Sequence, residues 1–143
     1  MAIENLQSVV SMAAEAGVDL LLENINNLDR PGYAFPTPAA VMEIVAAVNH
    51  PAVGMQFDFF HAGRAGLDAL AEYRRYAHAI RHIQLADAPG RHQPGTGQLP
   101  VRQFLDMLDV EGYEGLVGLE YQPSGTMEEA LSWLGQEAAR AAG

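Results

Sequence analysis

Four oxygen-bearing side chains stand at or near the ends of short apolar stretches: Glu23 in LLLEN, Asp58 in QFDFF, Gln84 in HIQLAD and Glu120 in GLEYQ. Their separations are 35, 26 and 36 residues, near the roughly 30 residues that one strand–helix unit takes in an eight-stranded α/β barrel. We therefore interpret them as equivalent positions on successive units. Because the carboxyl ends of parallel strands lie on one side of a sheet, these side chains could converge there.

Three carboxylates and one amide form a hard, all-oxygen donor set of the kind that suits Mg²⁺ or Mn²⁺. The chain has no Cys, so a thiolate metal site is excluded. Without a cation, three adjacent carboxylates would raise one another's pKa values. A single acidic residue at a strand end can instead cap the next helix or tie down a loop. Coincidence at all four positions is a weaker explanation than a shared cation.

Further candidates for the site lie in the loops that follow the strands. His61 comes three residues after Asp58, where its imidazole could contact a substrate hydroxyl or carbonyl, although a packing role is an alternative. Segment 86–100 is rich in Gly and Pro, as a lid over a site would be. It contains Arg91 and His92. The guanidinium of Arg91 could bind a substrate carboxylate, or it could simply face solvent.

The elements that must position these residues follow from the apolar spacing. Short apolar runs predict four buried parallel strands, over residues 18–23, 53–59, 82–87 and 115–121. Helical spacing between and around them predicts the order α(βα)4. Capping residues mark the helix boundaries: Asn5 before the first helix, Thr37 and Pro38 at the second, Pro100 at the fourth, and Thr126 with Glu129 at the last. The third helix is expected around residues 67–80, and the last helix is expected to bury Ala130, Leu131 and Leu134.

The composition fits one globular unit over residues 1–143, with 49% apolar residues and no break in composition. The formal net charge is -10, and all eight basic residues are Arg. This charge disfavours nucleic acid and anionic membrane surfaces as partners. The first residues lack the pattern of a secretion signal, and the apolar stretches are too short to span a membrane. We therefore expect a cytoplasmic location.

The sequence resembles the C-terminal half of the hydroxypyruvate isomerases, within the xylose isomerase-like barrel superfamily. The resemblance rests on the segments LLLENIN, PGY, QFDFFH, HIQLADAPGRHQPGTG and GLEYQP, of which ADAPGRHQPGTG is the most specific. It implies half of a (β/α)8 TIM barrel, equivalent to strands five to eight. It also implies that Glu23, Asp58, Gln84 and Glu120 bind the metal and that Glu23 and Glu120 are the catalytic pair. His61 then corresponds to a histidine that contacts substrate oxygens.

The implied reaction is the interconversion of hydroxypyruvate and 2-hydroxy-3-oxopropanoate through an enediolate. The cation would bind adjacent carbonyl and hydroxyl oxygens, and the two glutamates would exchange protons with carbon. Arg91 or His92 would hold the substrate carboxylate. Alternative substrates are those of a 2-oxo-tetronate isomerase or a ketose 3-epimerase. A phosphodiester-cleaving relative is disfavoured by the acidic charge.

A half-barrel has two unpaired sheet edges and an unclosed inner face. Three possibilities follow: a complementary N-terminal half-barrel on a second chain, a second copy, or a truncated remnant with little activity. The sequence favours a fragment that retains the family's site. The second alternative for its function is a truncated, non-catalytic half-barrel that assembles with a partner chain.

Overall fold

The computed structural model describes residues 2–141, and the side chains of residues 2–135. In chain order the elements are α1 (Ala2–Glu15), β1 (Leu20–Glu23), α2 (Pro38–Val48), β2 (Val53–Asp58), α3 (Phe59–Arg64), α4 (Ala69–Tyr76), a 3₁₀ turn (Ala77–Ala79), β3 (Ile80–Leu85), α5 (Val101–Glu111), β4 (Val117–Leu119) and α6 (Met127–Ala141). The predicted alternation of strands and helices is confirmed, with α3 as an additional short helix. Among the described helices, none combines the length and apolar character that a membrane crossing requires.

The strands form one parallel sheet in the order β1-β2-β3-β4. Each consecutive pair of strands is joined by a helical connection, as parallel pairing requires. Glu23 lies opposite Gln56 in the register of β1 and β2, and Asp58 lies opposite Gln84 in that of β2 and β3. The register shifts between Met55 and Gln56. All four strands therefore point their carboxyl ends the same way.

One face of the sheet carries the apolar core. Met55, Phe57 and Ile83 are fully buried against the helices. Phe104 of α5 stacks on Phe59 with ring centroids 4.1 Å apart, and Tyr73 meets Phe104 edge-on. Because side chains alternate across a strand, the residues between these apolar positions face the other way. That opposite face, which we call the inner face, carries Gly54, Gln56, Asp58, His82, Gln84 and Gly118.

Several predicted helix boundaries are confirmed. The Thr37 hydroxyl accepts from the amide of Ala40 at the start of α2, and Pro100 directly precedes the first residue of α5. The capping box at α6 is present, with Thr126 and Glu129 each accepting from the main-chain amide of the other. These local hydrogen bonds fix where each helix begins and ends.

Other expectations about boundaries and burial are wrong. Helix α1 already begins at Ala2, so Asn5 lies inside it. The predicted third helix is shorter, because Asp68 caps α4 and Ile80 already belongs to β3. Leu131 and Leu134 are 40% and 39% exposed, whereas Ala130 is fully buried. Over residues 127–135, the part of α6 with described side chains, the face that packs on the core is therefore narrower than the apolar pattern suggests.

Candidate active site

The candidate site lies at the carboxyl ends of the strands. Glu23 and Asp58 are the last residues of β1 and β2, Gln84 is the second-last residue of β3, and Glu120 follows β4 directly. The main-chain amide of Glu120 bonds to the carbonyl of Leu85, at 3.0 Å, and so continues the sheet ladder beyond β4. The parallel topology thus places the four predicted positions along one edge of the sheet.

Asp58 ends a strand and caps a helix at once. It is 1% exposed, and its Oδ1 accepts from the main-chain amide of His61, at 2.9 Å, at the start of α3. Burial raises the pKa of Asp58 to about 7, against the lowering effect of that hydrogen bond. Its Oδ2 lies 3.9 Å from His61 Nε2 and 4.0 Å from Arg91 Nη2, distances too long for hydrogen bonds. This oxygen is therefore available to a ligand.

Asn24 holds Asp58 in place from the neighbouring strand end. The Asn24 side chain is fully buried. Its amide nitrogen donates to the carbonyl of Asp58, at 3.0 Å, and its oxygen accepts from the amide of Asp58, at 3.1 Å. The side chain of Asn24 thus extends the pairing of β1 and β2 by one step and fixes the backbone beneath the Asp58 carboxylate.

His61 lies in the first turn of α3, with its ring almost fully buried. Its Nδ1 is 2.6 Å from Asn26 Nδ2. Burial, and to a smaller extent the nearby Arg91 charge, lower the pKa of His61 to about 4. The imidazole is therefore neutral at physiological pH, and its Nε2 faces the Asp58 carboxylate.

Glu23 faces the same point from β1. Burial raises the pKa of Glu23, and the Glu120 charge raises it further. The Arg91 charge and a hydrogen bond from Gln56 act in the opposite direction. Ligand atoms of Glu23, Asp58 and His61 all lie within 4.8 Å of one another. The structure thus brings two of the predicted metal ligands together with the predicted substrate-contacting histidine.

Arg91 crosses the mouth of this cluster. Its Nη2 lies 2.9 Å from Glu120 Oε1, and its guanidinium carbon is 5.1 Å from the centre of the Phe60 ring. The residue adopts a φ of 56°, in the left-handed region, which costs a residue other than glycine some backbone energy. Loop geometry and the Phe60 ring together aim the guanidinium of Arg91 toward the carboxylates.

Gln84 and His92 make other contacts. Gln84 Oε1 accepts a hydrogen bond from Gln56 Nε2 on the inner face, beside Asp58 in the strand register. His92 lies in segment 86–100, and its Nδ1 is 2.8 Å from the carbonyl oxygen of Gln122. The His92 ring therefore ties that segment to the loop after β4, while Arg91 reaches the carboxylates.

The buried carboxylate of Asp87 organises segment 86–100. It accepts from the main-chain amides of Gly95, Gly97 and Leu99 at 3.0, 2.9 and 3.0 Å. A side chain at Gly97 would clash, because its Cβ would lie 2.1 Å from the carbonyl oxygen of Ala88. The segment predicted as a lid is thus wrapped around one buried carboxylate.

The donor set fits a divalent cation. Two carboxylates with raised pKa values face each other across a few ångströms, and an oxygen of buried Asp58 lacks a hydrogen bond at normal distance. Repulsion of this kind is what a bound cation relieves. Gln84 and Glu120 stand at the next two strand ends. The residues present therefore suit Mg²⁺ or Mn²⁺.

Sequence reasoning missed several residues that shape the site. Asn24, Asn26 and Asp87 are buried polar residues whose partners lie in other loops or strands, and Gln56 bonds both Glu23 and Gln84. The one available signal was the polar alternation in ENIN, directly after a strand. The α3 helix was also missed, because Phe59 and Phe60 continue the apolar run of β2.

Comparison with known proteins places this arrangement in a family. The profile described as "Xylose isomerase-like TIM barrel" matches residues 1–137. A 2-oxo-tetronate isomerase of Cupriavidus necator is 34% identical over 92% of the chain and 51% of its own length. The hydroxypyruvate isomerase of Escherichia coli is 30% identical over the same share of the chain and 51% of its own length.

A solved structure gives the same picture in three dimensions. The crystal structure of an AP endonuclease of family 2 from Brucella melitensis superimposes with a TM-score of 0.89 and 33% identity. The alignment covers 94% of this chain and 52% of that protein. The chain thus spans about half the length of the relatives it matches, and its four parallel strands with flanking helices match half of a TIM barrel. It belongs to the xylose isomerase-like TIM barrel family.

Proposed function

We propose that this chain carries the catalytic half of a metal-dependent isomerase that interconverts hydroxypyruvate and 2-hydroxy-3-oxopropanoate. One observation carries the proposal: ligand atoms of Glu23, Asp58 and His61 meet within 4.8 Å at the strand ends, under the pair formed by Arg91 and Glu120. The names of the relatives from Escherichia coli and Cupriavidus necator support this class of reaction.

In this proposal Glu23, Asp58, Gln84 and Glu120 hold Mg²⁺ or Mn²⁺. When bound, the cation supplies Lewis-acid polarisation of adjacent carbonyl and hydroxyl oxygens of the substrate. Gln84 must then turn its oxygen from Gln56 toward the site, a rotation that breaks one side-chain hydrogen bond. His61 stays outside the ligand set and contacts a substrate oxygen.

Glu23 and Glu120 are the proton-transferring pair. One carboxylate takes a proton from C3 of hydroxypyruvate, and the other delivers a proton to C2, while the hydroxyl hydrogen passes from O3 to O2. The reaction is balanced without an external oxidant or reductant.

Arg91 is the proposed clamp for the substrate carboxylate. Its guanidinium lies at the mouth, is half-buried, and is paired with Glu120 at 2.9 Å. An incoming carboxylate would use the same planar donor groups. His92, whose Nδ1 lies 2.8 Å from the Gln122 carbonyl oxygen, would support this loop. It is the second candidate for holding the substrate carboxylate. A fixed cation favours acids over neutral ketoses, so it ranks 3-epimerase activity below isomerisation of a hydroxy-oxo acid.

Activity on candidate substrates tests the chemistry. We expect Mn²⁺-dependent and chelator-sensitive conversion of hydroxypyruvate, with lower turnover of four-carbon 2-oxo-tetronate and neutral six-carbon ketoses. Glu120→Gln should lower kcat by about 10²- to 10⁴-fold, whereas Glu114→Gln, an exposed change six residues away, should not. Preference for a neutral ketose would select the epimerase alternative, and higher turnover of the four-carbon acid would select the 2-oxo-tetronate alternative.

We also propose that the chain works in an assembly that completes the barrel. In the described sheet, β1 and β4 are the two edge strands, and the inner face carries polar groups such as Gln56 and His82. The relatives are about twice as long as their matched part. A complementary N-terminal half-barrel would supply four more strands and the rest of the pocket wall, and a second copy is the alternative partner.

Assembly is tested by adding the N-terminal half of the Escherichia coli relative to the purified chain. We expect a 1:1 complex by light scattering and a rise in isomerase activity that Glu120→Gln abolishes. A stable monomer that unfolds cooperatively and ignores the added half would contradict this part of the proposal. A complex without any isomerase activity would favour the non-catalytic alternative.

A further inference from the structure

A hydrogen-bond chain fixes the orientation of the Asn26 side chain, which is fully buried behind His61. Its Oδ1 accepts from the main-chain amides of Leu28 and Asp29, at 3.0 and 2.9 Å. Its Nδ2 donates to Asp29 Oδ2, at 2.9 Å, and lies 2.6 Å from His61 Nδ1. All the hydrogen-bonding capacity of this amide is therefore used.

The opposite orientation of the amide is excluded by its neighbours. If oxygen and nitrogen were exchanged, the NH₂ group of Asn26 would face the amide donors of Leu28 and Asp29, and the oxygen would face the Asp29 carboxylate. Each of these contacts would be repulsive, and a buried polar group left unpaired costs about 1–3 kcal/mol. Arg64 Nε lies 3.4 Å from Asp29 Oδ1, and this positive charge favours the ionised Asp29 carboxylate, which can only accept hydrogen bonds.

The orientation of the Asn26 amide determines which nitrogen of the His61 ring carries the proton. Because Asn26 Nδ2 donates, His61 Nδ1 must accept with its lone pair, so the ring proton is on Nε2. Nε2 is the nitrogen that faces Asp58 and the mouth of the site. With its proton there, Nε2 has no lone pair to give to a metal, although it lies 3.9 Å from Asp58 Oδ2.

We infer that Asn26 is a positioning residue that fixes neutral His61 as the Nε2–H tautomer, so that the ring presents a hydrogen-bond donor to a substrate oxygen. The step from donor to substrate rests on the proposed function. The tautomer itself rests only on the hydrogen bonds of Asn26. Asp29, which pairs with Arg64, thus supports the Asn26 amide that contacts the His61 ring.

The tautomer is read directly by two-bond ¹H–¹⁵N correlation of the histidine rings in the ¹⁵N-labelled, metal-free chain at neutral pH. Signals of His61 are assigned by their loss in His61→Asn. We expect an unprotonated Nδ1 and a protonated Nε2. In Asn26→Asp, the carboxylate keeps the acceptor for Leu28 and Asp29 but accepts from the ring, so Nδ1 should become protonated.

Asn27→Asp is the matched control, since it adds the same charge one residue away at an exposed position, and its His61 signals should match those of the parent chain. A protonated Nδ1 in the parent chain overturns the inference even if Asn26→Asp fails to fold. An unprotonated Nδ1 retained in folded Asn26→Asp overturns it as well. Absence of isomerase activity would contradict the proposed function while leaving these spectra unchanged.

Discussion

Arg91 and Glu120 form an ion pair across the mouth of the site, with Nη2 and Oε1 2.9 Å apart. Arg91 Nε also lies 3.4 Å from the Glu120 carbonyl oxygen, and Arg91 Nη2 is 4.0 Å from Asp58 Oδ2. In the chain without a bound cation, this guanidinium therefore partly neutralises the carboxylates that we propose as metal ligands.

The first prediction concerns competition between Arg91 and a divalent cation. Arg91→Gln should tighten Mn²⁺ binding by about 3- to 10-fold, because a positive charge near Asp58 and Glu120 is removed. Isothermal titration calorimetry measures the Kd. Arg74→Gln, which removes a surface charge paired with Glu111, should leave the Kd unchanged. Weaker Mn²⁺ binding by Arg91→Gln would contradict this prediction.

The second prediction concerns pH. The pKa of Asp58 rises from 3.8 to about 7 on folding. The contribution of this carboxyl group to the free energy of unfolding is therefore fully present below pH 3.8 and is lost as the pH rises to about 7. The pKa of His61 falls from 6.5 to about 4, so its contribution is full above pH 6.5 and is lost as the pH falls to about 4. The two contributions have opposite slopes and partly cancel.

Single substitutions should expose each slope in turn. Between pH 4 and 6.5, without metal, the free energy of unfolding of Asp58→Asn should rise more steeply with pH than that of the parent chain. That of His61→Asn should fall more steeply. Each difference is on the order of 3 kcal/mol over the window. Urea denaturation at a series of pH values measures both, and slopes that change in the same direction would contradict the assignment.

The third prediction concerns Asn24, which is bonded to both main-chain groups of Asp58. Asn24→Ala should lower the free energy of unfolding by about 2–4 kcal/mol, because it leaves a buried amide and a buried carbonyl unpaired. Thermal and urea denaturation give the value. Asn27→Ala, at an exposed position in the same loop, should change it by less than about 0.5 kcal/mol. Equal losses in the two variants would rule out the specific role of Asn24.

The fourth prediction concerns Asp87, whose carboxylate accepts from three main-chain amides. Asp87→Asn replaces one acceptor oxygen with a donor, so at least one of these amides loses its partner. Hydrogen exchange at Gly95, Gly97 and Leu99 should accelerate by about 10-fold or more. Asp109→Asn on the exposed side of α5 serves as the control. Unchanged exchange in Asp87→Asn would show that the segment is held by other contacts.

The sequence allowed the sheet and the edge of the site to be predicted because both depend on local patterns. Apolar runs indicated the strands, and the spacing of Glu23, Asp58, Gln84 and Glu120 indicated a common edge, where β1 to β4 end. Thr37 and Thr126 marked helix boundaries through hydrogen bonds within a few residues. Such signals depend only on neighbours along the chain.

The supporting contacts could not be predicted because their partners are remote in sequence. Asn24 is 34 residues from Asp58, and Asn26 is 35 residues from His61. A polar residue after a strand is normally exposed, so burial of these amides depends on tertiary structure. Asp58 had two competing roles, as a strand end and as a helix cap, and the cap converts the apolar FF that follows it into the start of α3.

The four strand-end residues come from one uninterrupted stretch of chain, between Glu23 and Glu120. Such a stretch can be inherited or transplanted as a cassette, because recombination at two points moves the whole donor set with its supporting asparagines. Grafting this segment onto foreign half-barrels would yield chimeras that share these side chains and differ in the opposing wall. Exchanging the opposing half-barrel alone would then show how much that half contributes to substrate preference.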